Sequence, residues 1–225
     1  MIAPLYRVSD FRSRDRDPFL LQHNHAISKI IDWANNYLCK SHPQLGRKGP
    51  VCPFVGPSIE KDLFFFTVYP GNHYDIPSLR EIMLSYREIF SEIEPTTGED
   101  AQFKAILALF PDIPLERAVE VIDDTQAQLS KEFAPLGLMI GEFHAGPPPK
   151  PGLWNPDFRP LYAPIPMLVI RHMVPTDVLF LQRERSLFLA YLDIFGDRIP
   201  PRMRHIAKQA AVKFDIDLLP QPGPV

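Results

Sequence analysis

Apolar residues recur along this chain with clear periods, separated by prolines. From about residue 24 to 39, Ile27, Ile30, Ile31, Ala34 and Leu38 fall three, four or seven apart, the spacing of one face of an amphipathic helix. DLFFFTVYPG, residues 62–71, is aromatic and β-branched and stops at Pro-Gly; its unbroken apolar character predicts a strand covered on both faces. Asp75 near the cap position and Pro77 in the first turn then open a helix striped by Leu79, Ile82, Met83, Tyr86, Phe90 and Ile93. EPTTGED breaks the chain. A short helix is predicted at about 100–110, and a longer one from Pro114 to Phe133, striped by Ala118, Val121, Ile122, Thr125 and Leu129. LGLMIGEFH (136–144) and IPMLVIRHM (165–173) read as two further strands. A helix through Phe180, Leu187, Phe188, Tyr191 and Phe195 ends near Gly196, and a last one at about 201–214 carries Met203, Ile206, Ala210 and Phe214.

Strands of this kind need helices over at least one face. The predicted class is therefore α+β, a small, mostly antiparallel sheet covered by amphipathic helices. A ferredoxin-like arrangement with an additional strand is the alternative. Residues 1–19 read as an irregular arm, 20–219 as a single domain and 220–225 as a loose tail.

Composition narrows the partners. The 225 residues are 45% apolar and 23% charged, ordinary for a chain that can bury a core. A net charge of −3 gives no electrostatic reason to expect nucleic acid or an anionic membrane as partner. No apolar run reaches the roughly 18–20 residues of a membrane span, and the N-terminal stretch has the charge pattern of no secretory leader. Cys39 and Cys52 are too few for a disulfide framework. The expectation is a cytoplasmic protein whose partner is a small-molecule substrate, with a homo-oligomer left open.

The connection between the last two strands, HAGPPPKPGLWNPDFRPLYAP, carries seven prolines. Each fixes φ and lowers the entropy lost on ordering, so the loop is expected to hold one shape and to present Trp154, Asn155, Asp157 and Arg159 in a fixed array. It either builds one wall of a ligand site or caps the sheet. If the flanking strands pair as a hairpin, His144 and His172 lie at opposite ends of it and share no metal. Alternation places Leu138, Ile140, Glu142 and His144 on one face of the first strand. In the second, Val169 and Arg171 share a face and Leu168, Ile170 and His172 the other. A buried Arg171 requires an acceptor, either Glu142 or a ligand carboxylate. Cys52, followed by proline in GPVCPF, is a small buried hydrophobe, a reactive thiol or an iron-binding thiolate. His42, Arg47 and Lys48 lie close enough in sequence to influence it. Zinc spacings, a P-loop, a dinucleotide fingerprint and a nucleophile elbow do not occur.

The stretches HPQLGRKGPVCPF (42–54) and GEFHAG…GLWNPDFRPLYAPIPMLVIRHMV…D..FL (141–181) resemble an uncharacterised bacterial family that carries closely similar runs. The order of Cys-loop, Phe-rich strand, long helices, Phe-His strand and Arg-containing loop is also similar to the YqcI/YcgG family of haem-dependent N-hydroxylases. Here Cys-Pro-Phe stands for Phe-Pro-Cys, Ala145 stands where proline is usual, and the loop is longer. That resemblance implies haem as cofactor, with His144 as the iron ligand, Cys52 as the alternative ligand or a pocket residue, and Arg159 as a propionate or carboxylate partner. The candidate catalytic side chains are Arg159, Arg171 and His172. The implied activity is that of a haem-dependent oxygenase, a monooxygenase acting on a small nitrogen-containing metabolite in specialised biosynthesis. A non-catalytic protein binding a small molecule or a partner without cofactor is the alternative.

Overall fold

The computed structural model describes residues 2–150 and 155–218. The chain opens with a short strand, β1 (Tyr6–Arg7), and the helices α1 (Val8–Arg12) and α2 (Pro18–Gln22). The expected irregular arm is thus tied into the sheet: Tyr6 pairs with Phe66 and Arg7 with Phe65. Helix α3 (Asn24–Trp33) buries Ile27, Ile30 and Ile31 as its stripe predicts, and then widens into a π-helical turn, Ala34–Leu38.

After the Cys52 loop come α4 (Val55–Glu60), β2 (Phe64–Val68) and α5 (Ile76–Glu92). Asp75 caps α5 by accepting the Ser78 N–H at 3.0 Å. Residues 100–110 are not the helix that the sequence predicts. A 3₁₀ turn, Glu99–Phe103, leads into β3 (Ala105–Leu109), an inner strand. Ala-Ile-Leu-Ala-Leu is covered on both faces, so it lacks the alternation that marks a half-buried strand, and periodicity alone does not separate it from a core helix.

The remaining elements are α6 (Leu115–Phe133), β4 (Leu138–Phe143), β5 (Met167–His172), α7 (Val178–Leu181), α8 (Arg185–Phe195) and α9 (Arg204–Phe214). Gly137, at φ +71°, makes the left-handed turn into β4 that a side chain would strain.

The five strands of the described residues are ordered β1-β2-β3-β5-β4. Only β2 and β3 run parallel, joined through α5; the other pairs are antiparallel. This is the expected α+β class with its mostly antiparallel sheet; β1 and β3 are two strands beyond the three that the sequence predicts. One face presents Phe65, Ile106, Ile170 and Ile140 to α5 and α6, whose Leu79, Met83, Tyr86, Ile122 and Leu129 are all but inaccessible. Each such side chain contributes roughly 1.5–3 kcal/mol on burial. The other face presents Phe64, Phe66, Val68, Leu107, Leu109 and Met167 to α3. Helices α7 to α9 form a third cluster against Met173 and Ala134. Helix α3 covers only part of its face; the Cys52 loop and the Pro-rich loop roof the remainder, and a hollow is left between them and the strands.

Candidate functional site

The hollow has a volume of about 530 Å³ and a mostly apolar wall. Its floor is the end of the sheet that α3 leaves uncovered. Phe64, Ala105, Arg171 and Met139 form one cross-strand row there, and Leu107, Val169 and Gly141 belong to the next. Its roof is the segment Arg47–Val55. At β4, the edge strand, it extends around to Glu142 and Lys150.

The roof owes its shape to backbone bonds at the end of the π-turn. Leu38 O accepts the Cys52 N–H at 2.9 Å, and Lys40 O accepts the Val51 N–H at 2.8 Å. Arg47 clamps the same turn by donating to Val51 O at 3.1 Å. Beneath it Leu38, Leu45, Val51 and Phe158 make a small cluster of their own, and His42 stacks on Phe158. Pro53 then turns the chain into α4, so that the Phe54 and Val55 N–H groups donate to the Cys52 sulfur. Burial pushes the Cys52 thiol up, against the pull of those donors and of the Arg171 guanidinium.

Arg171 lies in the floor and is paired with Asp177, not with Glu142. Its Nη1 and Nη2 each donate to one Asp177 oxygen at 2.7 Å, and Nη1 also reaches His172 O at 2.9 Å. Asp177 accepts the Val174 N–H at 2.8 Å as well. Register explains the choice. Arg171 lies opposite Ala105 and Met139, whereas Glu142 lies opposite Leu168 and faces α6. Burial works against the Arg171 charge, but the Asp177 carboxylate more than offsets it. About a quarter of the Arg171 side chain stays accessible, 26% against 2% for Asp177, and Arg171 lines the hollow.

Glu142 is 2% exposed. Lys150 Nζ bonds to its Oε1, while Oε2 is buried with no hydrogen-bond partner among the described residues. Ser58 Oγ, also on the wall of the hollow, is a second buried group with no such partner.

The other expected site residues are placed elsewhere. His144 is fully buried and is not part of the wall. Its Nδ1 accepts the Gly146 N–H at 3.1 Å and its Nε2 lies 2.9 Å from Asp123 Oδ1, so both ring nitrogens are engaged and Nε2 carries the proton. His172, at the far end of the β4–β5 pair as expected, lies opposite Leu138, its ring tilted against Phe90 with centroids 4.9 Å apart. Burial and the nearby Lys104 ammonium hold its pKa down to about 4. Arg159 turns back on its own loop, donating to Pro156 O at 2.8 Å. That loop is pinned by Tyr37 and Trp33, which donate to Arg159 O and Tyr162 O, and by Asn155, which donates to Gln44 O and accepts the Asp157 N–H. It supplies Pro160 and Leu161 to the wall. Trp154 lies outside the described residues.

Of the predicted residues, the fold thus brings Cys52 and Arg171 to one hollow and leaves Arg159, His144 and His172 outside it. Asp177, Glu142, Lys150 and Ser58 also lie on its wall, with Arg47, Lys48 and Arg202 at the roof and rim. Asp177 carries a legible signal, a lone carboxylate shortly after Arg171, but its role depends on the turn that folds it back.

Among the described residues, no group of three or more His, Cys, Asp or Glu is placed to hold a metal ion. None of their helices is long and apolar enough to cross a membrane.

These features define an α+β protein with a cavity between its sheet and a cysteine-bearing loop. The chain belongs to the family described as a domain of unknown function, DUF6875, whose model matches residues 27–206. No curated protein and no solved structure matches it significantly.

Proposed function

We propose that this protein is a small-molecule enzyme that works in the hollow under the Cys52 loop, with haem as cofactor and a small nitrogen-containing metabolite as substrate. The observation that carries this reading is the setting of Cys52. Among the described residues it is the only thiol or imidazole on the wall of a chamber of about 530 Å³, a size in the range of ~300–1,000 Å³ usual for ligand sites. Two backbone N–H groups and a guanidinium favour its thiolate, the form that binds iron. The likeness of this loop to that of the YqcI/YcgG enzymes supports the same role. Bound there, haem would supply oxygen activation, and Cys52 would hold it through its sulfur.

The chain's own residues bind and orient. Arg47, Lys48 and Arg202 border the chamber and suit the haem propionates. Phe64, Leu107 and Val169 keep its floor dry. The part of the Arg171 guanidinium not used by Asp177 would meet a substrate carboxylate. His144 does not fit the axial role, because both ring nitrogens are engaged away from the chamber. Two free thiols fit a reducing cytoplasm.

A second reading, a cofactor-free binding protein, is favoured by the burial that keeps the Cys52 thiol protonated in the absence of iron. One spectrum separates the two. Protein produced with haem precursor supplied is expected to show a Soret band that is lost in Cys52→Ala and kept in His144→Ala. A band that survives Cys52→Ala overturns the axial assignment, and its absence at every haem loading leaves the cofactor-free reading.

A further inference from the structure

The two cysteines of this chain are distant from any disulfide motif, yet the fold brings them together. Cys39 closes the π-turn and Cys52 begins the exit from the roof loop. The Cys52 N–H donates to the carbonyl of Leu38, the residue before Cys39, at 2.9 Å. Adding the covalent distances on either side of that bond places the two Cα atoms within roughly 7 Å, the outer limit for bridging without backbone movement. The sulfurs also converge on the same short segment. Cys52 Sγ accepts the N–H groups of Phe54 and Val55, and Cys39 Sγ lies 3.9 Å from the point where a side chain on Gly56 would begin. Glycine at 56 leaves that space open. Both cysteines are half-buried as residues, and Cys52 lines the hollow.

We propose that Cys39 and Cys52 are a redox pair: a hydroperoxide converts them to an intramolecular disulfide that withdraws the Cys52 sulfur from the hollow. In the step, one thiolate attacks the peroxide and becomes a sulfenic acid, releasing water or an alcohol. The second sulfur then displaces hydroxide from it as water, so that two thiols are oxidised while one peroxide O–O bond is reduced. Burial raises both thiols above their ordinary range, which slows the first attack on the peroxide. The bridge would cross-link the end of the π-turn to the start of α4 and so fix the roof, with Cys52 turned toward Cys39 and no longer toward Arg171. The inference does not depend on haem, since it concerns the thiols alone.

The test uses the whole protein, free of haem, treated with hydrogen peroxide, denatured without reductant and alkylated. The expected result is a monomer lighter by two hydrogens that takes up no alkylating reagent, yields a cross-linked peptide joining Cys39 to Cys52, and returns to the dithiol with dithiothreitol. Cys39→Ser should instead accumulate a dimedone-reactive sulfenic acid at Cys52. Two alkylated cysteines after prolonged treatment, separate over-oxidation of each sulfur, or disulfides only between molecules would each overturn the proposal. A Soret band in protein produced with haem precursor, alongside any of those outcomes in the haem-free protein, removes this inference and leaves the haem reading standing. Disulfide formation without any Soret band does the reverse.

Discussion

Arg171 and Asp177, six residues apart, meet through two parallel hydrogen bonds of 2.7 Å beneath the roof of the cavity. The pair closes the turn after β5, because Asp177 also holds the Val174 N–H. It places a guanidinium in the cavity wall whose charge is already balanced, so the cavity needs no anion to fold. A ligand carboxylate would add to this arrangement without being required by it.

Removing either partner should leave a buried charge without its counterpart. Asp177→Ala and Arg171→Met are each expected to destabilise the fold by about 3–5 kcal/mol, while the double variant loses less than the sum of the two. Urea denaturation of the four proteins in a double-mutant cycle measures this coupling. Additive losses would show that the pair is not energetically joined.

The imidazole of His172 should make stability depend on pH. Its folded pKa of about 4 lies below the ordinary value of 6.5. The unfolded chain therefore takes up a proton as pH falls below 6.5, while the folded protein does not until about 4. Stability is complete above the upper value and is lost progressively through that window, by up to about 3 kcal/mol. Denaturation midpoints between pH 7.5 and 4.5 should fall more steeply for the natural protein than for His172→Phe. Parallel curves would rule out this contribution.

Lys104 is 1% exposed and donates to Phe90 O at 2.8 Å and Ile93 O at 2.6 Å, capping the last carbonyls of α5. Replacing it with methionine should leave those acceptors without a donor and cost about 1–3 kcal/mol. The same substitution removes the ammonium that helps to keep His172 neutral. The His172 pKa, followed by NMR titration, should rise from about 4 but stay below 6.5, because burial is the larger cause.

The Glu142–Lys150 contact allows stability to be separated from function. Lys150→Met alone leaves the Glu142 carboxylate buried and unpaired and should be strongly destabilising, by about 3–5 kcal/mol. Glu142→Leu combined with Lys150→Met should restore most of the loss, since an apolar pair is often no worse than a buried ion pair. Haem uptake, read from the Soret band, should be unchanged in the double variant, because the proposed iron ligand is Cys52. A double variant no more stable than Lys150→Met would mean that this carboxylate is needed for folding itself.

The amphipathic stripes of α3, α5 and α6 and the strands β2, β4 and β5 were readable from the sequence, because burial on one face or two leaves a period in adjacent residues. So was the placement of His144 and His172 at opposite ends of a strand pair, which follows from antiparallel geometry alone. The strand β3 was not, because a short apolar run covered on both sides has no period of its own. Alternation showed that Arg171 and Val169 share a face and that Glu142 and Ile140 share one. Only pairing across β4 and β5 decided that these are opposite faces of the sheet, which denies Arg171 the nearest acid of the neighbouring strand and leaves it to Asp177. Trp33, Tyr37 and Asn155 pin residues 155–164, and the direction of Arg159 depended on which carbonyls lay within its reach. Local sequence sets periodicity and backbone stiffness. Which side chains share a cavity is set by register and packing between segments far apart in the chain, and no single stretch encodes it.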